Sequence, residues 1–431
     1  MVNFRIVSKI IGQLLFLESA FMLFSLAVAF YYNEDDIMAF LISMIATVGS
    51  GLIFRYFGRN STNNMSRRDA YFVVTSTWII FSVFGMLPYI VGGYITNLAD
   101  AYFETMSGFT TTGATILDSV EYLPHGILFW RSLTQWIGGL GIVFFTIAIL
   151  PSMVGGNVKV FAAEATGPIR SKMHSRLSSN AKWICSIYLA LTVGCILSYM
   201  AAGMGVFDSF TYSMSTTATG GFSSHDDSTE FFRSPAIEYI SIIFQFLSGI
   251  NFTLLYMIVF KGRVRALFTN SEFRLFVTVV FSATAWIMYL LVTRLDYDLE
   301  NAFRSALFQV VSFITTTGLF NDDAGAWPHI TWVILGACMF LGSCAGSTSG
   351  GFKCIRGVMV LKVLRNEFRR ILHPNAVLPV KVNGESVPQS KLTTLLAFFS
   401  VYVLICRVAA TIIIMAGIDN TNAITISLSC M

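Results

Sequence analysis

The chain has 431 residues, 55% of them hydrophobic and only 12% charged, with a formal net charge of +4 and a mean hydropathy of +0.68. Ordinary soluble domains carry roughly a quarter charged residues, so a string of such domains is excluded. Catalysis on cytosolic substrates is a poor starting idea for the same reason.

A helix needs about 20 apolar residues to cross the hydrocarbon core. Apolar segments lie near residues 10 to 31, 37 to 54, 70 to 95, 127 to 150, 183 to 206, 235 to 260, 275 to 293, 330 to 345 and 393 to 417, each a predicted crossing. The first follows Arg5 and Lys9 and runs into Ala27-Val28-Ala29, a signal-peptidase-like triplet. Its apolar core is too long for a signal peptide, so the segment is expected to be a retained helix. Glu18 within it is costly in lipid and is expected to face protein or an interface.

With the N-terminus cytoplasmic, the inside loops collect most of the 28 basic residues, among them Arg5, Lys9, Arg55, Arg59, Lys159, Arg170, Lys172, Arg176 and those between Lys353 and Arg370. The positive-inside rule favours that orientation. Acidic residues fall mostly in the opposite loops. They serve either loop solubility or a cation-attracting vestibule. The seven cysteines are scattered singly without a CxxC pair and read as small buried hydrophobes. The five histidines form no ligand cluster, so no metal site of that kind is expected.

Between crossings the chain repeats itself. A helix-compatible stretch too short to span leads three times to a Thr-rich tetrad ending in glycine: Thr110-Thr111-Thr112-Gly113, Thr217-Ala218-Thr219-Gly220 and Thr315-Thr316-Thr317-Gly318. Phe103, Phe210 and Phe308 each stand ten residues before the glycine, and the glycines are 107 and 98 residues apart. The repeat unit is therefore about 100 residues long: crossing helix, short descending helix, tetrad, crossing helix. Threonine and glycine also serve ordinary turns, but a turn requires neither the fixed phenylalanine nor the same two-helix flanks.

Irregular backbone at membrane depth is tolerated where it lines a water-filled cavity. A ring of carbonyl oxygens there can replace the hydration shell of a monovalent cation. Glycine allows the dihedrals that turn carbonyls inward, and the C-terminal end of each short helix adds a favourable dipole. Asp118 and Glu121, Asp226 and Asp227, and Asp322 and Asp323 follow the three glycines and would surround the mouth.

The second crossing of the third unit is interrupted by Gly342-Ser343-Cys344-Ala345-Gly346-Ser347-Thr348-Ser349-Gly350-Gly351. Small residues also permit close helix packing. The functional alternative is an unwound intramembrane loop that obstructs or opens a path below the tetrads.

At these residues the chain resembles the Trk/Ktr/HKT family of potassium transporters, in particular its bacterial Trk-type membrane subunits. The resemblance spans essentially the whole chain and rests on TTTGAT (Thr110 to Thr115), WRSLTQWIGGLGI (Trp130 to Ile142), TATGGFSSHD (Thr217 to Asp226), TTTG (Thr315 to Gly318) and CAGSTSGGFK (Cys344 to Lys353). It implies an all-α polytopic membrane protein, with helix-pore loop-helix repeats around a central pore and two extra N-terminal helices. On that plan residues 1–68 hold the N-terminal helices, 69–158, 159–268 and 269–372 the first three repeats, and 373–431 an incomplete fourth.

The resemblance makes the three tetrads a potassium filter and Gly346, Ser347, Thr348, Ser349, Gly350 and Gly351 a gating loop. It implies potassium as the ion handled and no covalently bound cofactor. Membrane lipid, a second copy in a homodimer and a cytoplasmic nucleotide-binding ring of the RCK/KTN type are the implied partners, without nucleic acid. The implied location is the bacterial cytoplasmic membrane. A serine in the first tetrad marks many sodium-preferring plant relatives, and Gly113 stands in that place.

The fourth unit shows its outer helix and the start of a short helix at Asn420 to Met431, so its filter and last crossing are expected beyond the final residue given. The family's arginine on that last helix, which faces the gating loop, cannot be carried over to the residues given. Gated potassium uptake is the leading expectation, with a sodium- or proton-coupled symporter of the same fold as the alternative. A symporter for organic solutes would show inverted repeats and midplane charges, and an enzyme would show a nucleophile–base constellation. Neither pattern is present in the sequence.

Overall fold

The computed structural model describes residues 2–61, 66–139, 141, 177–373, 375–376 and 378–431. The far half of the expected 127 to 150 crossing, Lys159, Arg170, Lys172 and Arg176, and the expected boundary between the first two repeats lie outside the described residues. The described residues divide into two compact units, one holding those up to 240 together with 317–319, the other those of 241–316 and 320–431.

The first unit contains α1 (Phe4–Tyr32), α2 (Ile37–Gly58), α3 (Arg67–Gly85), α4 (Leu87–Val91), α5 (Leu98–Phe109), α6 (His125–Gly139), α7 (Leu177–Ala201) and α8 (Val206–Ala218). Helices α1 and α2 form a hairpin because Asn33 closes α1 in the left-handed conformation, its N–H reaching Ala29 O and Phe30 O. Small residues bring the two helices together: a Cβ on Gly12 would lie 2.7 Å from Gly51 O, and one on Gly58 2.5 Å from Lys9 N. Close backbone approach of this kind is how helices associate where no hydrophobic force acts between them. Ser66 and Asp69 form a capping box that starts α3, and Asn3 N donates to Asp69 Oδ1 at 2.8 Å. Leu15, Met22, Phe40, Phe81, Phe109 and Trp130 belong to one buried core. Glu18 is fully buried and faces protein, as the sequence suggested.

The chain crosses between units within α9 (Pro235–Ser248). The second unit then holds α10 (Phe252–Lys261), α11 (Arg265–Thr269), α12 (Ser271–Leu295), α13 (Leu299–Ile314), α14 (His329–Leu341), α15 (Cys354–Leu372), the hairpin β1 (Lys381–Val382) and β2 (Glu385–Ser386), α16 (Gln389–Met415) and α17 (Asn420–Ser429). Phe352, Met359, Val382 and Leu395 share its core.

Among the described residues six helices are long and apolar enough to cross a bilayer: Phe4–Tyr32, Ile37–Gly58, Arg68–Val91, Lys182–Ala201, Ser271–Leu295 and Gln389–Met415. Two expected crossings take another form. The 235 to 260 run is not one helix: it bends by 100° between Ser248 and Phe252. Asn251 caps the new helix by accepting from Thr253 N at 2.8 Å, so Ser248-Gly249-Ile250-Asn251 is a stop and a start inside an apolar run. The 330 to 345 run ends at Leu341, short of a full crossing. The antiparallel hairpin at 381 to 386 is not among the predicted elements, although Asn383-Gly384 announces it: both residues have positive φ (51° and 86°), as a tight two-residue turn requires.

Candidate functional site

Each short helix hands the chain to a glycine strand in the same way. Helix α5 begins at Asn97, whose side chain accepts from Ala99 N, and stops at Thr110. Thr111 is left-handed (φ 55°), Gly113 again (φ 76°), and the N–H groups of Thr111 and Thr112 close on Gly108 O and Ser107 O at 3.0 and 2.9 Å. Helix α13 stops at Thr315, with Thr316 at φ 54° and Gly318 at φ 83°. Threonine rarely adopts φ > 0, so its recurrence here marks backbone imposed by the surroundings.

The second strand shifts the register. Helix α8 runs through Ala218, its left-handed residues are Thr219 (φ 54°) and Gly221 (φ 84°), and Thr217 is still helical, its hydroxyl donating to Ser213 O at 2.7 Å. The counterpart of Gly113 and Gly318 is thus Gly221 rather than Gly220, and the matching tetrad is Ala218 to Gly221. A Thr-x-Thr-Gly pattern cannot see this, because two consecutive glycines leave the register open until the dihedrals decide it. The phenylalanine spacing fails for the same reason: Phe210 stands eleven residues before Gly221. Phe103 and Phe210 are exposed at 40% and 41% while Phe308 is buried.

The first unit brings Gly113, Gly220, Gly221 and the Thr317–Gly318 end of the third strand together. A Cβ on Gly113 would overlap Gly220 O, and one on Gly221 would overlap Thr317 O, so glycine is required by close backbone approach as well as by φ. Helix α6 ties the second strand in place: Gln135 Nε2 donates to Gly220 O at 2.7 Å, and its Oε1 accepts from Phe222 N at 3.1 Å. One turn earlier Arg131, buried, pairs with Glu104 of α5 (Nη2 to Oε1 2.8 Å). Arg131 and Gln135 lie in the Trp130 to Ile142 motif, whose resemblance gives neither of them a role. Two polar residues four apart inside an apolar run are the signal that was available.

The acidic residues past the glycines are partly consumed in holding loops. Asp226 Oδ1 accepts from Val120 N at 2.7 Å, Asp322 accepts from the Tyr297 hydroxyl at 3.2 Å, and Asp323 accepts from Gly325 N at 2.8 Å. Loop structure therefore accounts for these three. At the start of α8, burial pushes the Asp208 carboxyl up, but hydrogen bonds from His225 and Ser224 outweigh it and hold it below the usual carboxylate range.

In the second unit the small-residue stretch is irregular from Gly342 to Lys353, as expected. Gly342, Gly346, Gly351 and Lys353 all have positive φ. The loop folds on itself through the Ser343, Ser347 and Ser349 hydroxyls, and the buried Lys353 Nζ donates to Ser349 O. Its base rests on the α9–α10 break: Cys344 N donates to Gly249 O (3.1 Å), Phe252 N to Gly346 O (3.0 Å) and Asn251 Nδ2 to Ala345 O (2.5 Å). Glu272 Oε1 accepts from Ala345 N and Ile355 N at 2.5 and 3.2 Å, so one buried carboxylate oxygen gathers both ends. Thr348 Oγ1 donates to Ser248 O, and Gly350 N donates to Thr316 Oγ1 at 2.6 Å. The break and Glu272 were not anticipated from the sequence.

A family model described as TrkH, cation transport protein, matches residues 34–426. The chain is 36% identical over 424 residues to the Trk system potassium uptake protein TrkH of Salmonella typhimurium strain LT2, covering 98% of this chain and 88% of that protein. It is 33% identical over 408 residues to the Trk system potassium uptake protein TrkG of Escherichia coli strain K12, covering 93% and 83%. It is also similar to the crystal structure of the potassium transporter TrkH from Vibrio parahaemolyticus, with a TM-score of 0.89 at 33% identity, over 99% of this chain and 89% of that one. With its apolar helices, this makes the chain a multi-pass membrane protein of a transport family and not an enzyme. The chain belongs to the TrkH family of cation transport proteins.

Proposed function

We propose that this chain takes up potassium across the bacterial cytoplasmic membrane. In this reading main-chain oxygens of Thr110 to Gly113, Ala218 to Gly221 and Thr315 to Gly318 replace water around the dehydrated ion, and the Gly346 to Gly351 loop gates the path. The observation that carries it is the packing of Gly113 on Gly220 and of Gly221 on Thr317, which places three irregular strands side by side. Such backbone survives at membrane depth where it lines a cavity, and carbonyl rings select among monovalent cations. The hydrogen bond from Gly350 N to the Thr316 hydroxyl supports the gating role, because the same threonine belongs to a proposed filter strand.

The proposal retains the repeat boundaries given above and a cytoplasmic N-terminus, which the loop charges support. A homodimer and a cytoplasmic RCK/KTN ring complete it. Helix α15 supports docking of some kind, since it exposes Leu361, Leu364, Phe368 and Ile371 beside Arg365, Arg369 and Arg370. The experiment is rescue of potassium-limited growth in an uptake-deficient bacterium by the full chain, with Gly318→Ser compared, because a Cβ there has its nearest neighbour 3.9 Å away. Rescue that becomes sodium-sensitive in Gly318→Ser is expected; absence of rescue by the parent overturns potassium uptake, and an unchanged ion preference overturns the filter.

A further inference from the structure

The left-handed pairs Thr111/Gly113, Thr219/Gly221 and Thr316/Gly318 give a register that the sequence alone does not. Nine residues before the glycine stand Glu104, Tyr212 and Gln309. All three are buried, and each holds the strand that leaves its own glycine. Glu104 accepts from the Thr115 hydroxyl at 3.0 Å and from Ile116 N at 3.1 Å. Tyr212 OH shares a hydrogen bond with Ser223 Oγ (2.6 Å) and donates to Ser228 O (2.7 Å), and Gln309 Nε2 donates to Asp322 O at 3.2 Å.

Only the first of these struts is charged, and its counter-charge reaches further than the strut itself. Arg131 donates to Glu104 Oε1 through Nε (2.9 Å) and Nη2 (2.8 Å). Its third contact runs to the second strand, Nη1 to Ser223 O at 3.2 Å, with the guanidinium 4.1 Å over the Phe222 ring. The two side chains are 2% and 0% exposed. Neither member can leave without stranding a buried charge, and such a network, with its donors and acceptors matched, is rigid.

We propose that Glu104 and Arg131 are specificity-determining positioning residues: the pair braces the first glycine strand against the second and so resists contraction around an ion smaller than potassium. The proposal rests on the filter reading above. It assigns the ion preference in part to side chains that never touch the ion, because carbonyls can discriminate by size only as far as their supports resist movement.

The test is rubidium uptake by the full chain in liposomes, with sodium as competitor, for wild type, Glu104→Gln, Arg131→Gln and Thr115→Val. Glu104→Gln and Arg131→Gln are expected to lower the sodium concentration that halves uptake by about tenfold, the size of losing one charge-assisted hydrogen bond. Thr115→Val leaves both charges in place and removes the hydroxyl that donates to Glu104 and accepts from Leu117 N and Arg131 Nη2, and is expected to shift it the same way by about threefold. A merely structural role would lower the amount of folded protein and leave the sodium competition unchanged, and that result in Glu104→Gln and Thr115→Val overturns the brace. Should the charge variants fail to accumulate, Thr115→Val decides alone. Gly318→Ser, where a Cβ has room, separates the two ideas: sodium sensitivity there without any in the brace variants sinks the brace only, and none in any variant sinks the filter as well.

Discussion

The Thr316 hydroxyl accepts a hydrogen bond from Gly350 N at 2.6 Å, joining the third glycine strand to the tip of the small-residue loop. Thr316 is itself left-handed and Gly350 is followed by the left-handed Gly351, so each partner sits in backbone held by its surroundings. The bond therefore couples two segments whose shapes are both imposed.

Replacing Thr316 by Val removes the acceptor and keeps the volume. A neutral hydrogen bond contributes about 1 kcal/mol, so the loop should leave this position about fivefold more often. Rubidium flux through liposomes should rise by that order in Thr316→Val and stay at the wild-type level in Thr316→Ser. Equal flux in all three would show that the bond does not restrain the loop.

Glu272 gathers Ala345 N and Ile355 N on a single oxygen. Glu272→Ala strands two buried donors, each at a cost of about 1 to 3 kcal/mol, and should lower the melting temperature of the purified protein. It should also expose the loop. Cys344 and Cys354 are fully buried, so maleimide labelling of either, kept as a single cysteine, should be slow in the parent and fast in Glu272→Ala.

Three glycines with similar φ should differ in tolerance. Gly318→Ala has its nearest neighbour 3.9 Å away and meets only the left-handed penalty, about 1 to 2 kcal/mol. Gly113→Ala and Gly221→Ala add overlap with Gly220 O and Thr317 O. Thermal stability should fall modestly in the first and much further in the other two. A reversed order would contradict the packing of the strands.

Asp208 is held below the usual carboxylate range, burial being outweighed by hydrogen bonds from His225 and Ser224. Its stabilisation is present above the unfolded pKa of about 4 and is lost as pH falls through the lower folded value. Melting curves between pH 3 and pH 6 should show a steeper acid-side loss for wild type than for Asp208→Asn. The two should run parallel above pH 5, with the variant lower.

Much of this arrangement was legible along the chain. Six of the nine apolar runs, the three Thr-rich ends of short helices and the interrupted 342 to 353 stretch appear where their compositions place them. Two further local signals are of the same kind: a cap at Ser248 to Asn251 inside a stronger apolar pattern, and a turn at Asn383-Gly384 between two short strands. Arg131 and Gln135 were visible as polar residues on one face of an apolar helix, but their partners stand 27 and 85 residues away.

Composition and periodicity by themselves determined that the chain lives in a bilayer and that the 342 to 353 stretch leaves the helix, because lipid enforces helix and small polar residues relax it. Tertiary structure alone decided that Gly221 rather than Gly220 matches Gly113, that Glu272 closes the loop, and that Glu104 is matched to Arg131. These depend on dihedrals and distances between segments far apart in the chain, and neighbouring residues carry no record of either.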